Sequence, residues 1–265
     1  KTTLKEIVMS KYEIWISFVT IVAREIRRFL RIWPQTIIPP IITIVLYFLI
    51  FGNLIGGRIG HMSGLPYIQF VAPGLIMMSV ITNSYSNVVS SFFGSKFQRN
   101  IEELLISPTP NSVILLGYVV GGMSRGLVIG AIVTIMSLYF AKFSIHDLNV
   151  TIAIILMTSM MFSLAGLLNA IYANSFDDIS IVPTFVLTPL TYLGGVFYST
   201  QLLDEFWAKA ALINPVLYMV NAFRYGMCGV TDIDIFWAFF MVGISIIILF
   251  AFTLRQLEYS SSLRS

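Results

Sequence analysis

Residues 235–254 read Ile235-Phe-Trp-Ala-Phe-Phe-Met-Val-Gly-Ile-Ser-Ile-Ile-Ile-Leu-Phe-Ala-Phe-Thr-Leu254, twenty residues without a charge. At roughly 1.5 Å of rise per residue, a helix of this length crosses the roughly 30 Å hydrocarbon core of a bilayer. No water is available there, so only helices and closed barrels satisfy their backbone groups. A continuous apolar run, without the alternation of a barrel strand, selects the helix. Five more runs of the same kind occupy 36–51, 67–91, 113–140, 150–173 and 179–199. The predicted fold is therefore an all-α polytopic membrane protein with six transmembrane helices, organised as one transmembrane domain over 1–265.

Composition agrees. Apolar residues make up 57% of the chain and charged residues 11%, against roughly 25% charged in an ordinary soluble domain. The excess of Lys and Arg over Asp and Glu, 16 against 13, is too small to suggest a nucleic-acid partner. Cys228 has no mate, and His61 and His146 are too few and too far apart for a metal centre. The start of the chain shows no short apolar core followed by a small-residue cleavage pattern, so no signal peptide is expected.

Charge placement orients the spans. The segment before the first run carries Lys1, Lys5, Lys11, Arg24, Arg27, Arg28 and Arg31, the second connection Lys96 and Arg99, and the tail over 255–265 Arg255 and Arg264. The other side carries Arg58, Lys142, Lys209 and Arg224. Eleven against four places both termini in the cytoplasm, as an even number of spans requires.

Within 1–34, Trp15, Phe18, Val22, Ile26, Phe29 and Trp33 recur at helical spacing opposite Glu13, Ser17, Thr20, Arg24, Arg27, Arg28 and Arg31. This pattern predicts an amphipathic interfacial helix with its apolar side in membrane lipid. Pro34 is expected to end it, and Pro39 with Pro40 to start the first span. Near the other end, 200–234 is too apolar for a water-exposed loop. Two short segments containing Trp207 and Tyr218, broken at Asn214-Pro215 and preceded by the flexible Gly194-Gly195, predict outer re-entrant helices before the last span.

The insert Gln98-Arg99-Asn100-Ile101-Glu102-Glu103-Leu104-Leu105-Ile106-Ser107-Pro108 carries a helix-start signal. Asn100 is placed to cap, Glu103 sits at the capping-box distance, and Pro108 stops the helix. Glu102 and Glu103 suit the positive end of the helix dipole. Ile101, Leu104 and Leu105 form an apolar ridge that would seat in a partner's groove. Acids are repelled by anionic cytoplasmic lipid, which favours a protein partner over the bilayer surface.

Arg125 interrupts the third run and should face a bundle interior or a water-filled path, paired with Asp177 or Asp178, unless its stem snorkels to the membrane edge. Asn83, Tyr85, Asn87, Thr188 and Tyr192 are sparse polar groups within the spans. They either line a conduit or bridge helices, as the small residues Gly130, Ala131, Ala165 and Gly166 do. The chain contains no G-x-x-x-x-G-K-[ST], H-E-x-x-H or G-x-S-x-G, so no catalytic residue is assigned.

Glu102 to Pro108, the run Leu187-Thr-Pro-Leu-Thr-Tyr-Leu-Gly-Gly-Val-Phe-Tyr198, Asn214-Pro215-Val-Leu-Tyr218 and Arg224-Tyr-Gly226 resemble the type-2 export permeases of ATP-binding-cassette transporters. The likeness covers nearly the whole chain and is near the bacterial nodulation-factor and polysaccharide export branch. It implies a homodimer in the bacterial inner membrane, served by two cytoplasmic ATPase subunits that bind ATP and Mg. Residues 98–108, with Arg99 among them, would then be the cytoplasmic coupling helix. Gly194, Gly195, Asn214, Pro215, Tyr218 and Arg224 would belong to an outer gate. The implied activity is outward transport of an amphiphilic, glycan- or lipid-linked substrate. A drug or small-hydrophobe exporter and a non-transporting membrane scaffold are the alternatives.

Overall fold

The computed structural model describes residues 9–141 and 145–259; Lys1, Lys5, Lys142 and Arg264 lie outside them. Ser10 starts helix α1 (Lys11–Arg31) with a reciprocal capping box, its hydroxyl accepting from the Glu13 N–H while the Glu13 carboxylate accepts from its own N–H at 2.7 Å. These bonds, the Ser10 N–H first, hold the Glu13 carboxyl below its ordinary range.

The inward stripe of α1 is Ile21, Glu25 and Phe29. It lies on the protein's own third long helix, where Gly117 and Gly121 leave room. A Cβ on either glycine would come within 2.5 Å of Ile21 or Glu25. Trp15, Ile16 and Val19 stay exposed on the outer side. The expected apolar stripe thus divides: Phe29 packs on protein, while Trp15 faces away.

Helix α2 (Trp33–Ile59) follows a single-residue break at Ile32, with Pro34 in its first turn. Pro34 begins the second helix, where its missing N–H costs nothing, rather than ending the first. Pro39 and Pro40 lie inside α2, and the backbone loosens to π-type turns over Phe48–Ile55. A two-residue hairpin, β1 (His61–Met62) with β2 (Leu65–Pro66), leads into α3 (Tyr67–Phe97). The short α4 (Asn100–Ile106) precedes the long α5 (Asn111–Ala141) and α6 (Leu148–Tyr172).

Helix α3 is the hub, packed along α5 and α6 and touched by α9 (Pro215–Cys228). Gly166 of α6 sits where a Cβ would meet the Tyr85 carbonyl oxygen at 2.7 Å, the close backbone approach expected of small residues between membrane helices.

Among the described residues four helices are long and apolar enough to cross a membrane, namely α2, α5, α6 and α10 (Ile235–Tyr259). The 31 residues of α3 have the length, but buried polar groups such as Asn83, Ser84 and Asn87 dilute their hydropathy. The fifth predicted run is shorter than expected. Helix α7 is a chain of three five-residue pieces over 178–192, the middle one π-helical. It gives way after Tyr192 because Gly195 takes φ +70 and Gly194 lies within 2.6 Å of Val216 once a Cβ is placed on it. Residues 193–199 therefore form a turn instead of the end of a span. The outer region holds α8 (Glu205–Ala211) and α9, separated at Asn214 as read from the sequence.

Replacing Gly121 by Val drives a branched side chain into Glu25 and should lift α1 from α5. Overpacking of this kind costs about 1–3 kcal/mol. Thermal unfolding of the purified protein should show a lowered midpoint, and an unchanged midpoint would contradict the packing.

Candidate functional site

At the foot of α3, Arg99 adopts a left-handed backbone at φ 61, ψ 5 and turns the chain into α4. Asn100 is then the first helical residue, its side chain donating to Gln98 Oε1 at 3.2 Å. It does not cap, and α4 has no side-chain cap, because the αL residue moves the helix start one position along. Glu102 and Glu103 occupy the first turn. The Ser107 hydroxyl, at the C-cap, donates to the Leu104 carbonyl at 2.6 Å, and Pro108 follows.

The apolar ridge points inward. Ile101 is buried to 1% exposure, and Leu104 and Leu105 pack with it against Phe92, Phe93, Ile114 and Leu115. Ile101 roots α4 in the body, where an apolar side chain gains by burial, while Leu104 and Leu105 pack on the same core and stay half-buried. What faces outward is Arg99, Asn100, Glu103 and Ile106.

A second connection meets the first. Lys96 Nζ donates to the carbonyls of Ile171 and Ala173 at 2.8 and 2.7 Å, and Phe97 and Phe93 each hold the Phe176 ring at 5.0 Å. Asp178 closes this turn by accepting from the backbone N–H groups of Asn174 and Ser175. The Asn174 N–H foremost, then Ser175, holds its carboxyl below the ordinary range.

Asp178 is thus committed to its own turn, and the expected pairing of Arg125 with Asp177 or Asp178 does not form. Arg125 reaches across to α3 and donates to Asn83 Oδ1 at 3.3 Å. Both residues line an open groove of about 340 Å³ between α2 and α3, with Gln35, Thr36, Ser79 and Thr82. One turn along α3, Asn87 accepts from Arg28 through both its carbonyl and Oδ1 at 2.8 Å. Arg28 Nε and Arg24 also reach the Glu25 carboxylate, at 3.4 and 3.3 Å, and Arg24 donates to the Tyr118 hydroxyl at 2.7 Å.

Glu25, at 1% exposure, was not singled out from the sequence. The available signal was a carboxylate at helical spacing between the apolar Ile21 and Phe29, with arginines one residue before and three after.

The remaining predicted path residues separate. Tyr85 turns to the other side of α3, where it borders an apolar pocket of about 470 Å³ with Asn169 and Tyr172. Thr188 is spent on the Pro183 carbonyl at 2.9 Å. Tyr192 stacks on Phe197 at 5.6 Å, and Phe197 also meets Tyr47 at 6.0 Å and Phe51 at 4.9 Å. These rings join α2 to the turn after α7.

The outer residues do converge. Arg224, fully enclosed, donates to the Phe70 carbonyl at 3.1 Å and the Gly195 carbonyl at 2.6 Å, with its guanidinium 3.8 Å from the Phe70 ring centre. It is not a loop charge, as the orientation count assumed. Asn221 accepts from the Asp232 N–H at 3.0 Å, and the Asp232 carboxylate accepts from Ser199 and Thr200. Asn214 caps α9 ahead of Pro215 and donates to the Leu190 carbonyl at 2.7 Å, while the Tyr218 hydroxyl donates to Leu212 at 2.8 Å. The α8–α9 pair is thereby tied to α7 and to the start of α3.

Several long apolar helices, with a short rooted helix and a polar groove beside them, are the build of a polytopic membrane protein. The chain belongs to the ABC-2 type transporter family, whose profile matches residues 16–228. It is 54% identical over 251 residues to the inner membrane transport permease YadH of Escherichia coli strain K12, covering 95% of this chain and 98% of that one. More distant relatives are nodulation protein J of Rhizobium leguminosarum bv. trifolii, 23% identical over 72% of this chain and 73% of the relative, and of Neorhizobium galegae, 21% identical over 81% and 82%. As a member of this family the chain is a membrane permease subunit of an ATP-binding-cassette exporter, served by partner ATPase subunits.

Glu25→Gln leaves Arg28 half-buried with its carboxylate partner removed. Breaking a buried ion pair from one side costs about 3 kcal/mol or more. Denaturation of the variant should register that loss, and a change below about 1 kcal/mol, the range of exposed pairs, would place Glu25 outside the network.

Proposed function

We propose that this chain is one half of a homodimeric permease in the bacterial inner membrane that moves an amphiphilic, glycan- or lipid-linked substrate outward. Its six crossings are α2, α3, α5, α6, α7 with the turn that follows it, and α10, with both termini in the cytoplasm. Two partner subunits bind ATP and Mg, and α4 is the coupling helix by which they move the spans.

The observation that carries this proposal is the construction of α4. It is a short helix set off by a left-handed Arg99, rooted through Ile101, Leu104 and Leu105, and carrying acids on its first turn. A rooted helix transmits displacement to α3 and α5, whereas one that merely lay on the surface would swing. Charge placement along the sequence supports the orientation, and burial of Arg224 removes one of the few positive charges from the outer side. The groove beside Asn83 and Arg125 supplies a polar lane along apolar walls, suited to an amphiphile. Arg224, Gly195 and Asn214 support an outer gate formed by α8 and α9, whose backbone hydrogen-bond partners lie on α3 and the 193–200 turn. The apolar outer side of α1, with Trp15 and Val19, rests at the inner lipid interface.

The Glu102→Lys, Glu103→Lys double variant reverses the charge on the first turn of α4 and leaves Ile101, Leu104 and Leu105 in place. It should lose co-purification of the partner ATPase, or retain it with substrate-stimulated hydrolysis reduced at least about tenfold, a change of 1.4 kcal/mol. Unaltered co-purification together with unaltered stimulation refutes the assignment of α4.

A further inference from the structure

Two arginines of α1 and one of α5 flank α3 near the groove, with the Glu25 carboxylate among them. Glu25 is shared by Arg24 and Arg28, whereas Arg125 meets only the neutral amide oxygen of Asn83. Arg125 is not part of any ion pair found among the described residues.

Donors here also outnumber acceptors. Arg125 Nε and Asn87 Nδ2 are buried without a hydrogen-bond partner, and Asn87 as a whole is fully enclosed. An unpaired buried donor is costly, and more so where the local dielectric is low. Of the two, only Arg125 lines the groove, and its unpartnered donor is satisfied by an acceptor that bears negative charge. A guanidinium fork matches the oxygens of a phosphate group. The rest of the groove suits an apolar tail, since Pro39, Pro40, Ile44, Leu75 and Met78 extend its wall beyond the polar residues.

We propose that Arg125, held on the groove wall by Asn83, binds the phosphate headgroup of an amphiphile whose tail lies along α2. This deepens the transport reading by naming an anionic substrate class and rests on that reading only for the amphiphile's role as cargo. Asn83 holds Arg125 on the groove wall through the 3.3 Å hydrogen bond, leaving its Nε for the ligand.

Binding is tested on the full chain in phosphatidylcholine nanodiscs, with decyl phosphate, decanol and inorganic phosphate as probes and tryptophan fluorescence as readout. Decyl phosphate should bind at least about tenfold more tightly than decanol, a difference of 1.4 kcal/mol. Arg125→Gln should erase that preference and Arg125→Lys should retain part of it. Should Arg125→Gln fail to fold, Asn83→Ala decides, since it removes no charge and should weaken the preference severalfold. Equal binding of phosphate and alcohol, or a preference untouched by these variants, overturns the proposal. Inorganic phosphate binding as tightly as decyl phosphate means an adventitious ion only, and also overturns it. If the preference holds while decyl phosphate leaves hydrolysis by the permease–ATPase complex unstimulated, the site stands and only its place on the transport path falls.

Discussion

The Glu25 carboxylate, almost wholly enclosed and held by Arg24 and Arg28, is the interaction on which the packing of α1 against the long helices depends. A lone charge in such a place would be expelled, because desolvation outweighs any benefit of packing. Paired, it commits three elements at once. Arg28 also grips Asn87 of α3, Arg24 grips Tyr118 of α5, and the backbone of α1 can come close only because Gly121 is bare. A surface helix is thereby fastened to the two long helices that flank α4.

Those two helices carry everything else that matters. At its foot α3 bears Lys96, which holds the turn between α6 and α7, and leads into α4. At mid-height it bears Asn83 and Asn87, facing Arg125 of α5 and Arg28 of α1. Near its top the Phe70 carbonyl receives Arg224. At 31 residues, and roughly 1.5 Å per residue, α3 is a rod of about 46 Å. Packed cores do not deform continuously, so a push at one end of such a rod reappears at the other as a shift between discrete arrangements. The junction with α4, the groove and the Arg224 contact are in this sense three stations on one helix.

Much of this organisation is legible in the sequence where local chemistry decides it. Length and hydropathy identify α2, α5, α6 and α10, and the Asn214-Pro215 pair divides α8 from α9. What the sequence leaves hidden depends on partners far along the chain. Ile101 looks like part of a docking ridge until Phe92 and Ile114 are seen to receive it. Arg125 appears to need an acid, but Asp178 is already occupied by Asn174 and Ser175, and Asn83 is the group within reach. Glu25 is unremarkable in a helix with six other charges, and becomes decisive only once Gly117 and Gly121 define which face turns inward. The end of α7 likewise follows from contact between Gly194 and Val216, which no periodicity announces.

The claim that α3 carries displacement from α4 to the outer helices is tested most directly by a distance measured far from α4. Spin labels at Leu202→Cys, an exposed outer position, would report the separation across the permease dimer in the assembled complex, with and without trapped ATP. The account predicts an ATP-dependent change in that distance, which disappears when Ile101→Ala loosens the root of α4 while the ATPase remains bound. A change that persists in the Ile101→Ala complex, or no change in the parent complex, would contradict it.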